Sequence, residues 1–417
     1  MPNSTRIDHF FRHEYGRLVS ALSRRVGVQY LADIEDAVQT ALATAIESWP
    51  VSGEPDTPSA WLYRVASNNL FGEFRKRANR DRILEENTLS IYSENESLDP
   101  NVFLEEEIKD DLLRMLFVCC DDIIPIESQL VLALKTLCGF DVREISLRLF
   151  ISEANTYKRL TRARKKLREN SSRLTNLTER DFTARLSSVR KTLYILFTEG
   201  YLSSHTETAI RRELCNEAIR LTTLLAEHPI GRGPETYALL ALMHLHYSRI
   251  GARQDSSSGS LILLEEQDRE LWDQLSIKHG LHWLARSAEG NLFSRYHAEA
   301  GIAAEHCLAP SFNTTRWCKI EECYALLDKI SPSAIHTLNR AVAVAEFKGP
   351  QAALDLLEDL EPPSWLIGSY QWAAVLSDLH KRNGNTELAT TYRTKALKTA
   401  PTPAIRSLLK RRLQNGN

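Results

Sequence analysis

The chain has 417 residues, of which 43% are hydrophobic and 25% charged, and its formal net charge at pH 7 is −2. This composition is typical of a globular protein and excludes a collagen, a mucin-like stalk or a wholly disordered chain. No apolar stretch approaches the ~20 residues of a membrane-spanning helix. The seven cysteines include no CxxC pair, which indicates reduced thiols. We therefore expect a cytoplasmic protein of more than one domain without membrane association.

The charge is distributed unevenly along the chain. Residues 1–80 carry 10 basic and 9 acidic residues, residues 81–111 carry 2 basic and 11 acidic residues, and residues 112–180 carry 13 basic and 8 acidic residues. An acidic segment therefore separates a near-neutral block from a basic one. Such asymmetry indicates a polyanionic partner, although it is weak evidence by itself.

Apolar residues at helical spacing dominate the chain, so the predicted fold class is all-α. The pattern predicts a helical block over residues 1–82, cut by a loop at residues 50–58. An acidic linker follows over residues 83–111, and a second small helical block covers residues 112–172. A longer helical array is predicted for residues 180–417.

The array contains a faint internal repeat. Gly349 and Gly384 lie 35 residues apart, each between two helical segments with alanines in the second. A period near ~34 residues resembles tetratricopeptide units, in which helix pairs bury their faces by stacking. For residues 180–330 an irregular helical bundle remains an alternative.

The segment Asp141–Leu167 has the pattern of a helix-turn-helix. A short helix is followed by a turn at residues 150–152, and Ser152 is a good N-cap for a second helix. The second helix has a buried stripe of Thr156, Leu160, Ala163 and Leu167. Its opposite face is polar and basic, as the DNA major groove requires. The predicted DNA contacts are Asn155, Tyr157, Lys158, Arg159, Arg162, Arg164 and Lys165, with the later ones at phosphates.

Two amphipathic helices are predicted in the first block. The segment Asp33–Trp49 has an apolar stripe of Ile34, Val38, Leu42, Ile46 and Trp49, and acidic residues open it where the helix dipole favours them. The following helix combines aromatic bulk, two mid-helix amides and a basic end, which suits a single DNA strand with splayed bases. Its candidate residues are Asn68, Asn69, Arg75, Lys76, Arg77 and Arg80.

In this order the segments resemble the sigma-70 family of bacterial transcription initiation factors, specifically its extracytoplasmic-function group. DIEDAVQTALATAIESW resembles the helix that docks on core RNA polymerase. TPSAWLYRVASNNLFGEFRKR resembles the helix that melts and reads the minus-10 element. EISLRLFISEANTYKRLTRARKKL resembles the helix-turn-helix that reads the minus-35 element. The resemblance identifies residues 1–82 as sigma region 2 and residues 112–172 as sigma region 4.

The resemblance also implies roles and partners. Core RNA polymerase would be bound by Asp33, Glu35, Asp36 and Gln39. Promoter DNA would be bound both as duplex and as the non-template single strand, with one flipped base held by the loop at residues 50–58 beside Asn68, Asn69 and Arg75. The acidic linker would thread the channel that RNA later occupies.

The remaining chain, including YILFTEGYLSSH and LNRAVAVAEFKGPQAAL, is similar to a subgroup of these factors with a tetratricopeptide-like C-terminal extension. The resemblance implies that this extension regulates the factor and offers a surface to an unidentified protein or peptide.

Other functions have less support. No Gly-rich phosphate loop, metal-ligand spacing or catalytic constellation stands out, so we expect no enzyme, no metal and no cofactor. The main alternative is a helix-turn-helix operator-binding regulator with a tetratricopeptide ligand domain. A scaffold with vestigial DNA-binding blocks is a third possibility.

Overall fold

The computed structural model describes residues 2–84, 105–149, 151–175, 177–201, 210–254, 261–358, 360–401 and 403–414. Within these ranges the chain is helical, with short 3₁₀ turns and one isolated β-bridge between Gln254 and Leu261. This confirms the predicted all-α fold. The middle of the predicted linker, Asn87–Pro100, lies outside the described residues. The chain divides into two compact units, residues 1–195 and 196–417.

Nine of the described helices lie in the first unit, and the ninth extends into the second. They are α1 (Pro2–Val26), α2 (Leu31–Ser52), α3 (Pro58–Leu84), α4 (Glu105–Cys119), α5 (Ile126–Thr136), α6 (Val142–Leu149), α7 (Glu153–Glu169), α8 (Ser171–Thr175) and α9 (Glu179–Tyr201), within which the division falls.

The predicted loop at residues 50–58 is shorter than expected, because α2 continues through Pro50 to Ser52. Gly53 then ends the helix: its N–H donates to the Trp49 carbonyl at 3.0 Å, and its φ of 85° is one that glycine adopts without strain. The predicted apolar stripe of α2 holds for the buried Ile34 and Val38, but Ile46 is 58% exposed.

The two predicted blocks of the first unit pack against each other. Helix α1 contacts α4 and α5 as well as α2 and α3. At Gly16 the approach is so close that an added Cβ would lie 2.3 Å from the Leu137 carbonyl oxygen. Helix α4 begins at Glu105, so the end of the predicted linker is helical. Two small domains separated along the sequence therefore share one compact unit.

Helices α6 and α7 cover the segment for which a helix-turn-helix was predicted, and residue 150 of the predicted turn lies outside the described residues. Asp141 and Glu144 cap α6 reciprocally, each side chain accepting from the other residue's backbone N–H at 2.6 and 2.9 Å. Ser152 is the N-cap of α7, and its side chain accepts the Asn155 N–H at 3.2 Å. The predicted stripe of α7 is buried throughout: Thr156, Leu160, Ala163 and Leu167.

The first part of α9 belongs to the first unit, although the sequence placed residues from 180 onward in the C-terminal array. Arg185 is buried against the fully buried Asp121, with Nε 2.6 Å from Oδ2. Thr192 donates to Gln129 at 3.1 Å. These contacts attach α9 to α5 and to the segment between α4 and α5.

The second unit continues as helices of 4 to 16 residues. They are α10 (Arg212–Glu227), α11 (Pro234–Tyr247), α12 (Gln274–Ser287), α13 (Arg295–Leu308), α14 (Trp317–Ile330), α15 (Ala334–Lys348), α16 (Pro350–Glu358), α17 (Ser364–Ile367), α18 (Tyr370–Arg382), α19 (Thr386–Thr399) and α20 (Pro403–Gln414).

The two glycines that indicated the repeat occupy equivalent positions. Gly349 separates α15 from α16 with φ 92°, and Gly384 separates α18 from α19 with φ 80°. Both conformations favour glycine at the end of a helix. Helices α15, α16 and α18 share an apolar core that includes Leu338, Leu357 and Trp372. The sequence repeat therefore corresponds to successive helical hairpins.

Candidate nucleic-acid interface

The outward face of α7 is basic and largely exposed. Tyr157 is 57% exposed, and Lys158 and Arg162 are also exposed, whereas Asn155 and Arg159 are half-buried. Among the described residues, no hydrogen bond or ion pair involves the side chains of Lys158, Arg159 or Arg162. Lys165 is exposed and forms only a long pair with Glu169, at 3.8 Å. Lys158, Arg159 and Arg162 can therefore accept an anionic ligand without breaking an ion pair among the described residues.

Arg164 differs from its neighbours on α7. Its guanidinium is paired with the carboxylate of Glu35 on α2, and its side chain is only 27% exposed. The prediction placed Arg164 at a DNA phosphate, but in this structure it faces the protein interior. The reason is positional: Leu160, Ala163 and Leu167 form the buried stripe, and Arg164 takes the position between them that also faces inward.

Glu35 likewise departs from its expected place on the surface. It is 1% exposed, and its second oxygen accepts the Thr136 hydroxyl of α5 at 2.9 Å. Lys135 and Tyr15, both buried, lie beside this pair, with the Lys135 Nζ 5.6 Å from the centre of the Tyr15 ring. Glu35 cannot contact another protein in this conformation. These residues join α1, α2, α5 and α7, and we name them the interblock cluster: Tyr15, Glu35, Lys135, Thr136 and Arg164.

Burial shapes the protonation of the interblock cluster. It lowers the pKa of Lys135, although the nearby Glu35 carboxylate partly offsets the effect. Burial first, and then Glu35, raise the pKa of Tyr15 well above its usual value. The tyrosine therefore stays neutral, and Glu35 relies on Arg164 and Thr136 as its direct partners. Sequence reasoning missed Thr136, Lys135 and Tyr15, none of which stands out in a local pattern.

The other predicted polymerase-binding residues lie nearer the surface of α2. Asp36 and Gln39 are exposed. Asp33 is half-buried and pairs with Arg77 of α3 at 2.5 Å. This pair joins a residue predicted to bind polymerase to one predicted to bind the minus-10 strand, which the sequence did not indicate.

The amides and basic residues of α3 share its outer surface. Asn68 and Arg75 are exposed and Asn69 is half-buried. Lys76 pairs with Glu73 at 2.7 Å. The side chain of Arg80 lies outside the described residues. Beside this surface, Trp49 and Trp61 stack edge to face, with ring centres 5.6 Å apart, at the base of the exposed segment 53–57.

The second unit contains buried histidines, among them His297 and His306. Burial lowers the pKa of His246 to about 3 and that of His244 to about 4. The His246 ring packs against Tyr201 at 4.6 Å between centres. No group of three His, Cys, Asp or Glu residues is arranged to hold a metal ion within the described part of the chain.

These depressed pKa values set a pH dependence for the second unit. An unfolded histidine binds a proton below pH ~6.5, whereas folded His246 does not. The contribution of His246 to the free energy of unfolding is therefore complete above pH ~6.5 and is lost as the pH falls toward 3. Replacing His246 by phenylalanine should remove up to about 2 kcal/mol of the stability loss between pH 7 and pH 5. Urea unfolding at both pH values measures this. His282→Phe, at an exposed position of α12, should leave the pH dependence unchanged.

None of the described helices is long and apolar enough to cross a membrane. Comparison with known proteins finds two families along the chain. Residues 10–80 match the family described as Sigma-70 region 2, and residues 185–288 match a Family of unknown function (DUF6596).

A curated relative covers most of the chain. The Uncharacterized protein R00370 of Rhizobium meliloti (strain 1021) is 34% identical over 348 residues, which span 82% of each protein. No solved structure matches the chain.

Proposed function

We propose that the chain is a sigma-70-type initiation factor, which binds core RNA polymerase and directs it to specific promoters. The match of residues 10–80 to Sigma-70 region 2 supports this proposal. In this proposal α7 reads the minus-35 duplex, and α3 with segment 53–57 melts and reads the minus-10 strand. The extracytoplasmic-function group and regulation by the C-terminal helices are parts of the same proposal. Core polymerase and promoter DNA are its partners.

The observation that carries the proposal is the outward face of α7. A capped turn presents Asn155 and Lys158 at the start of the helix, where side chains reach base edges in the major groove. Arg162 follows one turn later, where it can reach a phosphate. Lys158 and Arg162 are exposed and pair with none of the described residues, so DNA binding by these two side chains breaks no ion pair in the described part of the chain.

The packing of the two blocks indicates that the described conformation is a closed form. The minus-35 and minus-10 elements are by their names about 25 base pairs apart, or roughly 85 Å at ~3.4 Å per base pair. The interblock cluster holds α7 in direct contact with α2. One rigid unit of this kind cannot read both elements together. We therefore include an opening of the first unit in the proposed mechanism.

The interblock cluster explains how opening would be coupled to binding. Glu35 and Arg164 were each predicted to contact a partner, polymerase and DNA respectively, and they neutralise each other in the closed form. Separation would expose both charges at once. Polymerase would then pair with Glu35, and promoter DNA with Arg164, in place of the internal ion pair. Asp36 and Gln39, already exposed, would make the first contact with polymerase.

Replacing Arg162 by alanine is expected to weaken DNA binding to the same extent on every sequence. One phosphate contact fewer should lower the slope of log K against log salt by about 1. Fluorescence anisotropy with duplex DNA at several salt concentrations measures this. Arg180→Ala on the exposed surface of α9 is the control. A loss confined to one DNA sequence would contradict the phosphate role and assign Arg162 to base recognition.

Binding to core polymerase in the absence of DNA tests the proposed function against its main alternative. An initiation factor binds core polymerase directly, whereas an operator-binding regulator of the same fold need not. Asp36→Lys should weaken that binding, because it reverses an exposed charge on the proposed contact surface. Glu47→Lys, farther along α2, is the matched control. Equal affinity of both variants and the natural protein would remove the proposed docking role of α2.

A further inference from the structure

The second unit contains a half-open cavity that the proposed function does not use. Its volume is about 570 Å³, within the ~300–1,000 Å³ of small-molecule sites. Its walls come from α13, α14, α15, α18 and α20 and from the segment 263–265. Helices far apart in the sequence therefore converge on one space.

Aromatic side chains form much of the wall. Trp317 packs edge to face against Phe312, with ring centres 5.0 Å apart, and His306 meets Trp317 at 5.4 Å. Tyr324 and Tyr370 line the cavity as well. Burial raises the pKa of both tyrosines, so their hydroxyls stay protonated and can donate hydrogen bonds. Such a wall favours a flat, mainly apolar ligand.

The polar groups of the wall leave no net charge that would favour a charged ligand. Asn339 and Gln371, on α15 and α18, are amides that can both donate and accept hydrogen bonds. Glu346 is already neutralised by Arg382, 2.5 Å away. Glu265 and Arg412 are exposed and of opposite sign. The preferred ligand is therefore uncharged.

The cavity is closed across one side. Arg411 of α20 donates to the Leu261 carbonyl at 2.7 Å and pairs with Glu266 at 3.1 Å. This contact fastens the C-terminal helix to the segment that carries residues 263–265. An extended peptide threading between the two would have to break it, whereas a compact molecule would not.

We propose that this cavity binds a neutral, mainly apolar aromatic small molecule, held by stacking on Trp317 and its neighbours and by hydrogen bonds to Asn339 and Gln371. The site goes beyond the proposed function, and its occupancy can be measured without polymerase or DNA. A negative result for ligand binding would not contradict the proposed function, and a negative result for the proposed function would not contradict the ligand site.

The test uses the full chain and the neutral dye N-phenyl-1-naphthylamine, whose emission rises in apolar surroundings. We expect one dye per chain, with at least tenfold weaker binding of the anionic dye 8-anilinonaphthalene-1-sulfonate. Val342→Trp should fill the cavity from α15 and reduce dye binding at least tenfold. Leu388→Trp, at an exposed position of α19, should not. If Val342→Trp fails to fold by circular dichroism, Ala374→Phe fills the cavity from α18 instead.

Competition decides between ligand classes. Displacement of the dye by 1-naphthol supports the proposal, and displacement only by a decapeptide of Leu, Ala and Tyr would overturn it in favour of a peptide site. Absence of dye binding to the natural protein would overturn it too. So would dye binding that the folded cavity-filling variant leaves unchanged, because the dye would then lie elsewhere.

Discussion

Replacing Arg164 by alanine is expected to destabilise the packing of α7 on α2 by about 3 kcal/mol. The change leaves the buried Glu35 carboxylate without its cationic partner, and breaking one side of a buried ion pair costs roughly 3–5 kcal/mol. We take the lower figure because Arg164 is 27% exposed, so water can partly replace it. Amide hydrogen exchange in α5 and α7 should become about 100-fold faster.

Arg162→Ala is the control for this prediction, since Arg162 is exposed two residues away on the same helix and has no partner within the described residues. It should change the opening free energy, measured by amide hydrogen exchange in α5 and α7, by less than about 0.5 kcal/mol. Similar effects of both variants would contradict the closed form. The double variant Glu35→Met with Arg164→Met should recover the lost protection, because apolar residues of similar size can replace a buried ion pair.

Replacing Arg185 by alanine should have an effect at least as large on the attachment of α9. Asp121 is fully buried, and the change removes the guanidinium whose Nε lies 2.6 Å from its Oδ2, while the Ile123 N–H remains 3.0 Å from its Oδ1. We expect a loss of about 3–5 kcal/mol. Exchange of the amides in residues 179–195 and in α5 measures it.

Arg180→Ala is the matched control for Arg185, because it removes the same side chain from an exposed position of the same helix. It should leave exchange nearly unchanged. If Arg185→Ala behaved like this control, the first part of α9 would be peripheral to the first unit, and the sequence-based boundary near residue 180 would be the better one.

Local signals in the sequence predicted the local structure well. The start of α7 followed from Ser152 as N-cap, and its buried stripe followed from the spacing of Thr156, Leu160, Ala163 and Leu167. The glycines that end α15 and α18 followed from the repeat. These features depend on residues within one or two turns of each other, so a single sequence contains them.

The contacts between blocks could not be predicted in the same way. Glu35 and Arg164 are 129 residues apart, and each was assigned to a charged surface. A signal was nevertheless present. Glu35 lies four residues after Leu31, on the side of α2 that also buries Ile34 and Val38. Arg164 lies four residues after Leu160, next to the buried Ala163 and Leu167 of α7. A charge at such a position requires a partner on another element, although the sequence does not say which.

The surroundings of the candidate functional residues were predicted unevenly for the same reason. The outward face of α7 follows from helical spacing alone, whereas the availability of each charge depends on tertiary packing. Asp33 and Arg77 illustrate this, because both were assigned to external partners and here they pair with each other. In our proposal their external roles require this pair to break, whereas those of Glu35 and Arg164 require the first unit to open.

Run-off transcription with purified core RNA polymerase on genomic promoter fragments tests the central claim most directly. The full-length protein should produce discrete transcripts that core polymerase alone does not. The Lys158→Ala variant should lose them on promoters whose minus-35 element it reads, while still binding core polymerase. Absence of transcripts from the natural protein, with tight binding to duplex DNA in the absence of polymerase, would contradict the initiation-factor role and support an operator-binding regulator.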